Sequence, residues 1–404
     1  MKCGVIGAGP VGTAMALALA RAGVEVTLFE RAAALPADPR AATLQPPTLS
    51  MLDALGSGEE VLRLGLRAPV FQFRDRESDE IVAEYDYGVL EGETEHPFAL
   101  QCEQFKVASA NARALVALQP GALRLATDVT GFTQDEDGVT VTAEREGEAE
   151  THRFDYLVGC DGGRSATRKA LGIAFDGFTY EERFLVLTTP HDFFARNFRV
   201  RNYVLDPRQW CALFEVPHEG PPGLWRTVFP APADTEGAPD PLSDAYVAEQ
   251  IGGLEPSLSL DDLHHRNLYV VNQRVAAAFR KGRVFLAGDA AHVNNPLGGL
   301  GMNSGIHDAV NLAEKLVQAR AEPARAKALF DAYDAERRQI AVDYVQAQTI
   351  QNKKRLEART EEARAAALQE LREGCADPAR HRAWVMRASL IAGLRELDEK
   401  AGAA

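Results

Sequence analysis

A glycine-rich turn near the N-terminus has the residue types and the spacing to hold a phosphate group. Gly7, Gly9 and Gly12 form a G-x-G-x-x-G pattern. The first glycine permits a tight turn, the second lets a diphosphate approach the backbone, and the third lets a helix pack closely on a strand. Glu30, with Arg31 beside it, follows where a carboxylate can accept hydrogen bonds from an adenosine ribose. The pattern predicts dinucleotide binding without separating FAD from NAD.

The elements that must position this turn lie on either side of it. Residues 3–6 are a short apolar run, and residues 13–22 are rich in Ala and Leu without Pro or Gly, which predicts a strand followed by a helix. Gly23 ends that helix, and residues 24–29 alternate like a second strand. The free N–H groups and positive dipole at the start of the helix would face the diphosphate. The order of a βαβ unit is therefore present.

Two later segments each place an acidic residue at the end of a predicted strand. Within residues 155–173 an apolar strand leads into Asp161-Gly162, and Ser165 is predicted to cap the next helix. Within residues 283–316 a strand leads into Gly288-Asp289, then into a glycine-dense stretch and a helix. Such a stretch lets a large planar group lie on the backbone, with its carbonyl oxygen facing the start of the helix. A nicotinamide cofactor would not need this distant second contact, so the third segment favours FAD.

Together the three segments resemble the class A flavoprotein aromatic hydroxylases, the para-hydroxybenzoate hydroxylase and phenol hydroxylase superfamily. The shared fingerprints are the glycine turn, the D-G motif and the G-D-A-A-H motif, in that order along residues 1–320. The resemblance implies an α/β fold, in which a Rossmann-like FAD-binding domain carries an inserted, mainly antiparallel β-sheet substrate domain and a C-terminal helical region. The implied boundaries are 1–70, 98–180 and 266–320 for the FAD-binding domain, 71–97 and 181–265 for the substrate-binding domain, and 321–404 for the helical region.

The resemblance also implies roles for individual residues toward the cofactor. Arg40 would lie near the diphosphate, and Gln104 would touch the cofactor from the start of a helix. Asp289 would contact the ribityl chain, and the backbone of residues 301–303 would face the pyrimidine end of the flavin. The D-G segment and Arg168 would serve both FAD and the reduced nicotinamide. The complete implied set is Gly7, Gly9, Gly12, Glu30, Arg31, Arg40, Gln104, Asp161, Arg168, Gly288, Asp289, Gly301, Met302 and Asn303.

The implied reaction is hydroxylation of an electron-rich aromatic ring, a phenol, an aminoarene or a hydroxypyridine, with O2 and NADH or NADPH. A flavin C4a-hydroperoxide would deliver the oxygen, while the protein positions the ring and excludes water. Three alternatives stay open: a flavin halogenase, disfavoured because no W-x-W-x-I-P segment occurs, a quinone-precursor hydroxylase, and an FAD-binding protein without hydroxylase activity. A plain NAD dehydrogenase is less compatible with the third segment. No metal site is predicted.

Five residues are candidates for positions beside the reacting ring. Where the family usually has two prolines this chain has Asn295-Pro296, and Asn295 either bonds a substrate heteroatom or is a neutral variant. Tyr203 either relays a proton or is a packed tyrosine. His292 belongs to the fingerprint and is expected to have a positioning role near the flavin, and Gln45 could reach the ring.

Strand-like segments between the second and third fingerprints predict the substrate sheet. Residues 202–209, 210–217 and 224–230 alternate with period two, so Trp210 and Phe214 share one face and Leu213 lies on the other. The sequence does not determine which face of the sheet is turned toward the flavin. The Ala-, Glu-, Arg- and Gln-rich residues beyond 312 predict helices.

Composition excludes some partners and predicts a compartment. The net charge of −14 argues against nucleic acid or an anionic membrane as the main partner. The five cysteines are scattered without a C-x-x-C pair, as expected of thiols in a reducing compartment. No apolar run reaches the ~18 residues of a membrane span. The sequence therefore predicts a cytoplasmic protein, and the resemblance leaves a homodimer as an open expectation.

Overall fold

The fold is taken from a computed structural model that describes residues 1–37, 41–221 and 223–402, with twenty strands and twelve α-helices among them. The strands, β1 to β20, are Lys2–Ile6, Glu25–Phe29, Thr43–Leu44, Leu66–Ala68, Val70–Asp75, Ile81–Asp86, Ala99–Gln101, Leu123–Arg124, Thr127–Gln134, Val139–Arg145, Glu148–Phe154, Tyr156–Gly159, Phe175–Thr189, Arg201–Leu205, Cys211–Val216, Leu224–Ala231, His265–Ala276, Arg280–Lys281, Val284–Leu286 and His292–Val293. The helices, α1 to α12, are Pro10–Arg21, Pro46–Leu55, Gly58–Leu64, Gln104–Leu118, Ala166–Ala170, Asp244–Leu254, Gly301–Ala321, Ala326–Ile340, Ala347–Glu357, Glu361–Ala376, Pro378–Ala388 and Ile391–Gly402.

A six-stranded sheet in the order β18-β19-β12-β1-β2-β8 holds the N-terminal motif. Its inner strands are short apolar runs because both of their faces are covered, as is usual for parallel strands. β1 pairs in parallel with β2 and β12, and β12 pairs in parallel with β19. The register sets Ile6 opposite both Phe29 and Gly159, and Gly159 opposite Leu286. The carboxyl ends of these four strands therefore meet at one edge of the sheet.

An eight-stranded sheet in the order β20-β17-β13-β16-β15-β14-β5-β6 forms the second layer. Its pairs are antiparallel except for β14 with β5. β13 and β17 are continuous across positions 180 and 266, where the sequence predicts domain boundaries. The long strands therefore extend from one predicted domain into the other, and the exact division remains a prediction.

The two faces of this second sheet pack against different parts of the chain. Tyr203, Ala212 and Val228 lie in an apolar cluster that also contains residues of the C-terminal helices. Cys211 and Leu213 lie in a separate cluster with residues of α6. The alternation predicted from the sequence is therefore present. The face with Tyr203 packs against the C-terminal helices, and the face with Leu213 packs against α6.

The C-terminal region is helical, as the sequence predicts. α7 packs on α1 and α8, and α10 packs on β6. A π-helix, Ala341–Gln346, joins α8 to α9. Of the helices described, none has the length and the apolar character needed to cross a membrane.

Candidate active site

The three sequence fingerprints converge at the carboxyl edge of the parallel sheet. The Gly7 N–H donates to the Phe29 carbonyl at 2.8 Å, and the Cys160 N–H donates to the Ile6 carbonyl at 2.8 Å. The Ala287 N–H donates to the Gly159 carbonyl at 3.0 Å. The residues that follow these strands therefore start from neighbouring points on one edge, although they are far apart in sequence.

The glycine turn is tight on its protein side and open on its outer side. Gly7 has φ +96°, and a Cβ there would lie 2.6 Å from the Cys160 carbonyl oxygen. A Cβ at Gly12 would lie 1.8 Å from the Gly7 carbonyl oxygen, whereas a Cβ at Gly9 would meet nothing within 4 Å. Gly9 also precedes α1 and offers no side-chain cap, so the first N–H groups of the helix are free for a ligand. This cradle fits a diphosphate.

Glu30 is held in one orientation at the end of β2. It is buried, Oε2 accepts from the Ala8 N–H at 2.9 Å, and Oε1 accepts from the Ala32 N–H at 3.0 Å. Each carboxylate oxygen has a further acceptor site. Fixed acceptors beside the glycine turn fit the ribose hydroxyls of an adenosine, so the observed cradle and acid together fit the ADP half of FAD.

The remaining predicted residues for the ADP half have less defined surroundings. Arg31 is exposed beside Glu30. Gln104 opens α4, and its N–H donates to the Ala41 carbonyl at 2.8 Å. Arg40 lies outside the described residues. Their proposed contacts with the cofactor stay predictions.

Asp161 organises the second fingerprint by accepting hydrogen bonds within its own segment. Its carboxylate accepts from the Ser165 hydroxyl at 2.6 Å and from the Thr167 N–H and hydroxyl at 2.9 and 3.0 Å. Ser165 caps α5, as the sequence predicts, by accepting from the Arg168 N–H at 2.9 Å. Asp161 therefore fixes the turn that follows β12.

Arg168 connects the second fingerprint to other parts of the fold. It is buried, and its guanidinium donates to the carbonyls of Ala290 at 2.8 Å and Gly163 at 2.9 Å. The guanidinium carbon lies 3.7 Å from the centre of the Phe175 ring. The hydrogen bond to Ala290 joins the second fingerprint to the third, and the implied contact with FAD and the reduced nicotinamide stays a prediction.

The third fingerprint packs directly against the helix that starts at the glycine turn. Gly288 has φ +63°, and a Cβ there would lie 2.8 Å from a methyl carbon of Val11. A Cβ at Gly305 of α7 would lie 2.6 Å from the same methyl group. Asp289 is exposed at the end of the adjoining strand. Its position on the same edge as the glycine turn suits the predicted contact with the middle of the cofactor.

A buried charged cluster lies beneath this turn. Asp308 accepts from the Gly288 N–H at 3.0 Å, from His292 Nε2 at 2.8 Å and from Arg337 Nε at 2.6 Å. Burial alone would raise the pKa of Asp308, but Arg337 and His292 outweigh it, and the pKa is lowered. His292 is itself buried and stacks on Phe279. His292 therefore helps to orient Asp308 and its turn, and its positioning role near the flavin stays a prediction.

Asn303 ties the start of α7 to a segment near residue 45. Its Oδ1 accepts from the Gln45 N–H at 2.7 Å and from the Thr48 hydroxyl at 2.6 Å. Its Nδ2 donates to the carbonyls of Thr43 at 2.8 Å and Gly299 at 2.6 Å. Leu300, which precedes α7, provides no side-chain cap, so the backbone of Gly301, Met302 and Asn303 keeps the free N–H groups of a helix start. This arrangement fits the carbonyl oxygen at the pyrimidine end of a flavin.

His307 completes this network and makes folding sensitive to acid. Its Nε2 lies 2.8 Å from the Thr48 hydroxyl, which itself donates to Asn303. Burial lowers the pKa of His307 to about 3 from an ordinary value of 6.5. Below pH 6.5 the unfolded chain binds a proton that the folded chain refuses, so the free energy of unfolding falls as pH drops toward 3.

We expect His307→Gln to flatten the acid side of the stability profile. Between pH 6.5 and 4 the wild type should lose up to about 1.4 kcal/mol per pH unit through this residue, whereas the variant should lose less. Urea unfolding at a series of pH values measures the difference, and the exposed His264→Gln is the control. Parallel wild-type and His307→Gln profiles would show that His307 does not titrate in this way.

A small cavity lies between the second sheet, the glycine loop that precedes α7, and the C-terminal helices. Its lining residues are Phe71, Tyr87, Arg201, Tyr203, Gly298, Leu300, Gln348, Asn352, Trp384 and Ala388. α9 contributes two amides, and Asn352 Nδ2 donates to the Leu297 carbonyl at 3.3 Å. Helices α9 and α11 therefore help to build the cavity, a contribution that the sequence analysis did not predict.

Two of the predicted pocket residues meet at this cavity. Tyr203 is a lining residue, as is Gly298. Burial raises the pKa of Tyr203 well above its usual value. Gln45 Nε2 lies 3.4 Å from the Gly298 carbonyl, and its Oε1 accepts from the Tyr87 hydroxyl at 3.3 Å. Tyr203 is thus both packed and placed to contact a ligand in its neutral form.

Asn295 and Pro296 lie beside the cavity without lining it. Asn295 is fully buried, its N–H donates to Gln273 Oε1 at 2.9 Å, and its Oδ1 accepts from the Leu297 N–H at 3.1 Å. Pro296 is exposed. The Asn295 side chain shapes the loop that leads to Gly298, and both alternatives for its role toward the substrate stay predictions.

The lining residues that the sequence analysis missed are Phe71, Tyr87, Arg201, Leu300, Gln348, Asn352, Trp384 and Ala388. A signal existed for Arg201, which shares a strand face with Tyr203 by the period of two. No comparable signal existed for the others outside the third segment, because they belong to distant strands and helices that only the tertiary fold assembles.

Comparison with known proteins finds one matching family model and several similar monooxygenases. The family model described as "FAD binding domain" matches residues 1–348. Para-nitrophenol 4-monooxygenase from Pseudomonas sp. (strain WBC-3) is 34% identical over 347 residues, which cover 84% of this chain and 83% of that protein. 6-Hydroxy-3-succinoylpyridine 3-monooxygenase from Pseudomonas putida (strain DSM 28022 / S16) is 30% identical over 354 residues, covering 87% and 88%.

A solved structure confirms the predicted fold class. The crystal structure of p-nitrophenol 4-monooxygenase from Pseudomonas putida DLL-E4 superposes with a TM-score of 0.88 at 30% identity. The match covers 95% of this chain and 96% of the other. The likeness therefore includes the C-terminal helices that line the cavity.

Proposed function

The chain belongs to the FAD-binding-domain family, and on that premise we propose that it is an FAD-dependent monooxygenase that hydroxylates an electron-rich aromatic ring with O2 and NAD(P)H. The observation that carries the proposal is the junction at Gly298. There the loop that leads to the start of α7 also forms one wall of a cavity lined by Phe71, Tyr203 and Trp384. A cofactor cradle thus adjoins a narrow aromatic-lined cavity, which would have to widen to hold a flat ring.

FAD, when bound, takes up reducing equivalents from the nicotinamide and activates dioxygen. The protein supplies binding and orientation. The glycine turn and Glu30 would hold the ADP half, Asp289 the ribityl chain, and the backbone of residues 301–303 the flavin carbonyl. Asp308 and Arg168 hold the turns on which these groups lie.

The substrate class follows from the ring chemistry and from the relatives. Electrophilic hydroxylation needs an electron-rich ring, and the relatives named above act on a nitrophenol and a hydroxypyridine. We propose a phenol or a hydroxypyridine as the substrate. The buried hydroxyls of Tyr203 and Tyr87 are the groups placed to hydrogen-bond its ring substituent, and Gln45 links Tyr87 to the Gly298 carbonyl.

The halogenase, the quinone-precursor hydroxylase and the FAD-binding protein without hydroxylase activity are not favoured by these comparisons. The full-length relatives are ring monooxygenases. We further propose a cytoplasmic location, since the reaction consumes a reduced nicotinamide, and a homodimer as the assembly to be tested by light scattering.

The decisive experiment is an assay of coupled oxidation. The FAD-loaded protein would be incubated with NADH or NADPH and a panel of phenols, nitrophenols and hydroxypyridines, while oxygen and reduced nicotinamide consumption are followed and the product is identified by mass. We expect at least one panel member to accelerate reduced-nicotinamide oxidation and to gain one oxygen atom. If no aromatic compound accelerates that oxidation, the hydroxylase proposal fails.

A further inference from the structure

Arg201 is a buried cation in the wall of the cavity. It lies on β14 with 5% of its surface exposed, and its guanidinium carbon is 4.7 Å from the centre of the Phe71 ring. Its Nη1 donates to the Tyr87 hydroxyl at 3.3 Å. Within residues 1–37, 41–221 and 223–402, no carboxylate forms an ion pair with Arg201.

Three of the other buried arginines are paired with acids, whereas Arg168 donates to two backbone carbonyls. Arg74 lies 3.1 Å from Asp79, Arg337 lies 2.6 Å from Asp308, and Arg355 lies 3.1 Å from Glu370. Burial of a cation without an anion is costly, so proteins pair such groups. Arg201 has neither an acid nor a set of backbone carbonyls among its described partners, and its guanidinium lines a cavity that adjoins the cofactor site.

A second unused donor belongs to another residue of the cavity wall. The indole N–H of Trp384 is buried and has no acceptor in the part of the chain that the structure describes. The Trp384 and Phe71 rings lie 5.7 Å apart, and Tyr203 packs edge-on against Phe71 at 4.8 Å. The wall therefore combines aromatic faces, one cation and one free N–H donor.

We propose that Arg201 binds an anionic oxygen substituent of the aromatic substrate and so determines the specificity of the enzyme for ionised rings. This inference rests on the proposed function and adds the charge of its substrate. A guanidinium binds a phenolate or carboxylate oxygen with strong, directional hydrogen bonds. The aromatic side chains would contact the ring itself, and the Tyr87 hydroxyl holds the guanidinium at Nη1.

The consequence for the reaction depends on where the anionic oxygen is attached. A phenolate oxygen on the ring would increase the electron density that hydroxylation needs, and Arg201 would keep that oxygen ionised in a site that excludes water. A carboxylate would serve only to orient the ring. Arg201 would bind a phenolate oxygen and a carboxylate oxygen in the same way, so separate probes are used to distinguish the two groups.

The test measures ligand binding to the FAD-loaded enzyme through the change in flavin absorbance, without turnover. Two matched pairs of probes are used: 4-nitrophenolate with 4-nitroanisole, and 4-hydroxybenzoate with its methyl ester. Each pair compares an anion with a neutral analogue of similar shape. The variants are Arg201→Met, Arg201→Lys and the control Arg199→Met, whose exposed guanidinium pairs with Glu84 at 2.7 Å.

We expect the wild type to bind at least one anion about 10-fold or more tightly than its neutral partner. Arg201→Met should remove that preference while the Kd of the neutral probe changes by less than about 2-fold, since only a charge-assisted hydrogen bond is lost. Arg201→Lys should keep part of the preference, and Arg199→Met should keep all of it. The pair that shows the preference identifies phenolate or carboxylate as the natural group.

Three results would overturn the inference. One is a wild type that prefers neither anion over its neutral partner, a result that does not depend on any variant folding. Another is an Arg201→Met enzyme that still prefers the anion, and the third is an equal loss of affinity for anion and neutral probe. Failure of the hydroxylase proposal itself would appear separately, as binding of the probes without any oxygenated product.

Discussion

Gly12→Ala is expected to abolish FAD binding and to destabilise the protein before any cofactor is added. The added Cβ would lie 1.8 Å from the Gly7 carbonyl oxygen, which is backbone and cannot move aside without opening the turn. Forced overpacking of this kind costs about 3 kcal/mol or more. The apoprotein should therefore unfold at lower urea concentration, and fluorescence titration should detect no stoichiometric binding of FAD.

Gly9→Ala is the matched variant, because it tests the ligand side of the same turn. A Cβ at Gly9 meets nothing within 4 Å, and the backbone there has φ −70°, which alanine adopts freely. The stability of the apoprotein should change by less than about 0.5 kcal/mol. FAD affinity should nevertheless fall by about 10-fold or more, because the methyl group occupies space that the diphosphate needs.

The comparison of the two variants separates the packing of the turn from the binding of FAD. Gly12→Ala should lower both stability and FAD affinity, and Gly9→Ala should lower FAD affinity alone. If Gly9→Ala binds FAD as tightly as the wild type, the diphosphate does not approach the turn at this point. If Gly12→Ala is as stable as the wild type, the close packing of α1 on the turn is not required.

Arg337→Met is expected to destabilise the protein by about 3–5 kcal/mol, because it leaves the buried carboxylate of Asp308 without its cation. Arg337 also donates to the Ser304 carbonyl at 3.2 Å, so the change loosens the start of α7 as well. Asp308 holds the Gly288 N–H of the third fingerprint. FAD affinity should therefore fall together with stability, although Arg337 lies outside the cofactor cradle.

Arg325→Met is the control for this effect. Arg325 pairs with Glu322 at 3.2 Å on the surface, where an ion pair contributes only about 0–1 kcal/mol. Urea unfolding of both variants, with and without FAD, gives the comparison. A loss below about 1 kcal/mol for Arg337→Met would mean that Asp308 is accommodated without its partner, contrary to its lowered pKa.

Acid should reveal the same cluster in the wild-type protein. The pKa of Asp308 is lowered in the folded state, so its ion pair stabilises the fold above the ordinary pKa of an aspartate, about 3.9. That contribution is lost as pH falls below this value. Its window lies at lower pH than that of His307, whose effect begins near pH 6.5.

The sequence alone predicted the cofactor-binding motifs of this protein, because each motif consists of residues that are close together in the sequence. Each fingerprint is a strand, a turn and a helix start within about two dozen residues, and turn geometry limits the residues allowed there. The tight turn at Gly7, the Ser165 cap and the fixed Glu30 all agree with what their neighbours in sequence predict. The fold class was implied by the family resemblance that these fingerprints carry.

Only the tertiary structure showed which residues line the cavity and which partners several buried charged side chains have. The resemblance implied a cofactor contact for Arg168 and a positioning role for His292, and only the fold showed that they bond the Ala290 carbonyl and Asp308. Arg201 and Trp384 come together in one cavity wall from β14 and α11. Hydrogen-bond partners and burial of this kind depend on long-range packing, which no local pattern encodes. The glycine turn could therefore be recognised from its own residues. The role proposed for Arg201 could be inferred only from its surroundings in the fold, because the described part of the chain places no carboxylate beside it.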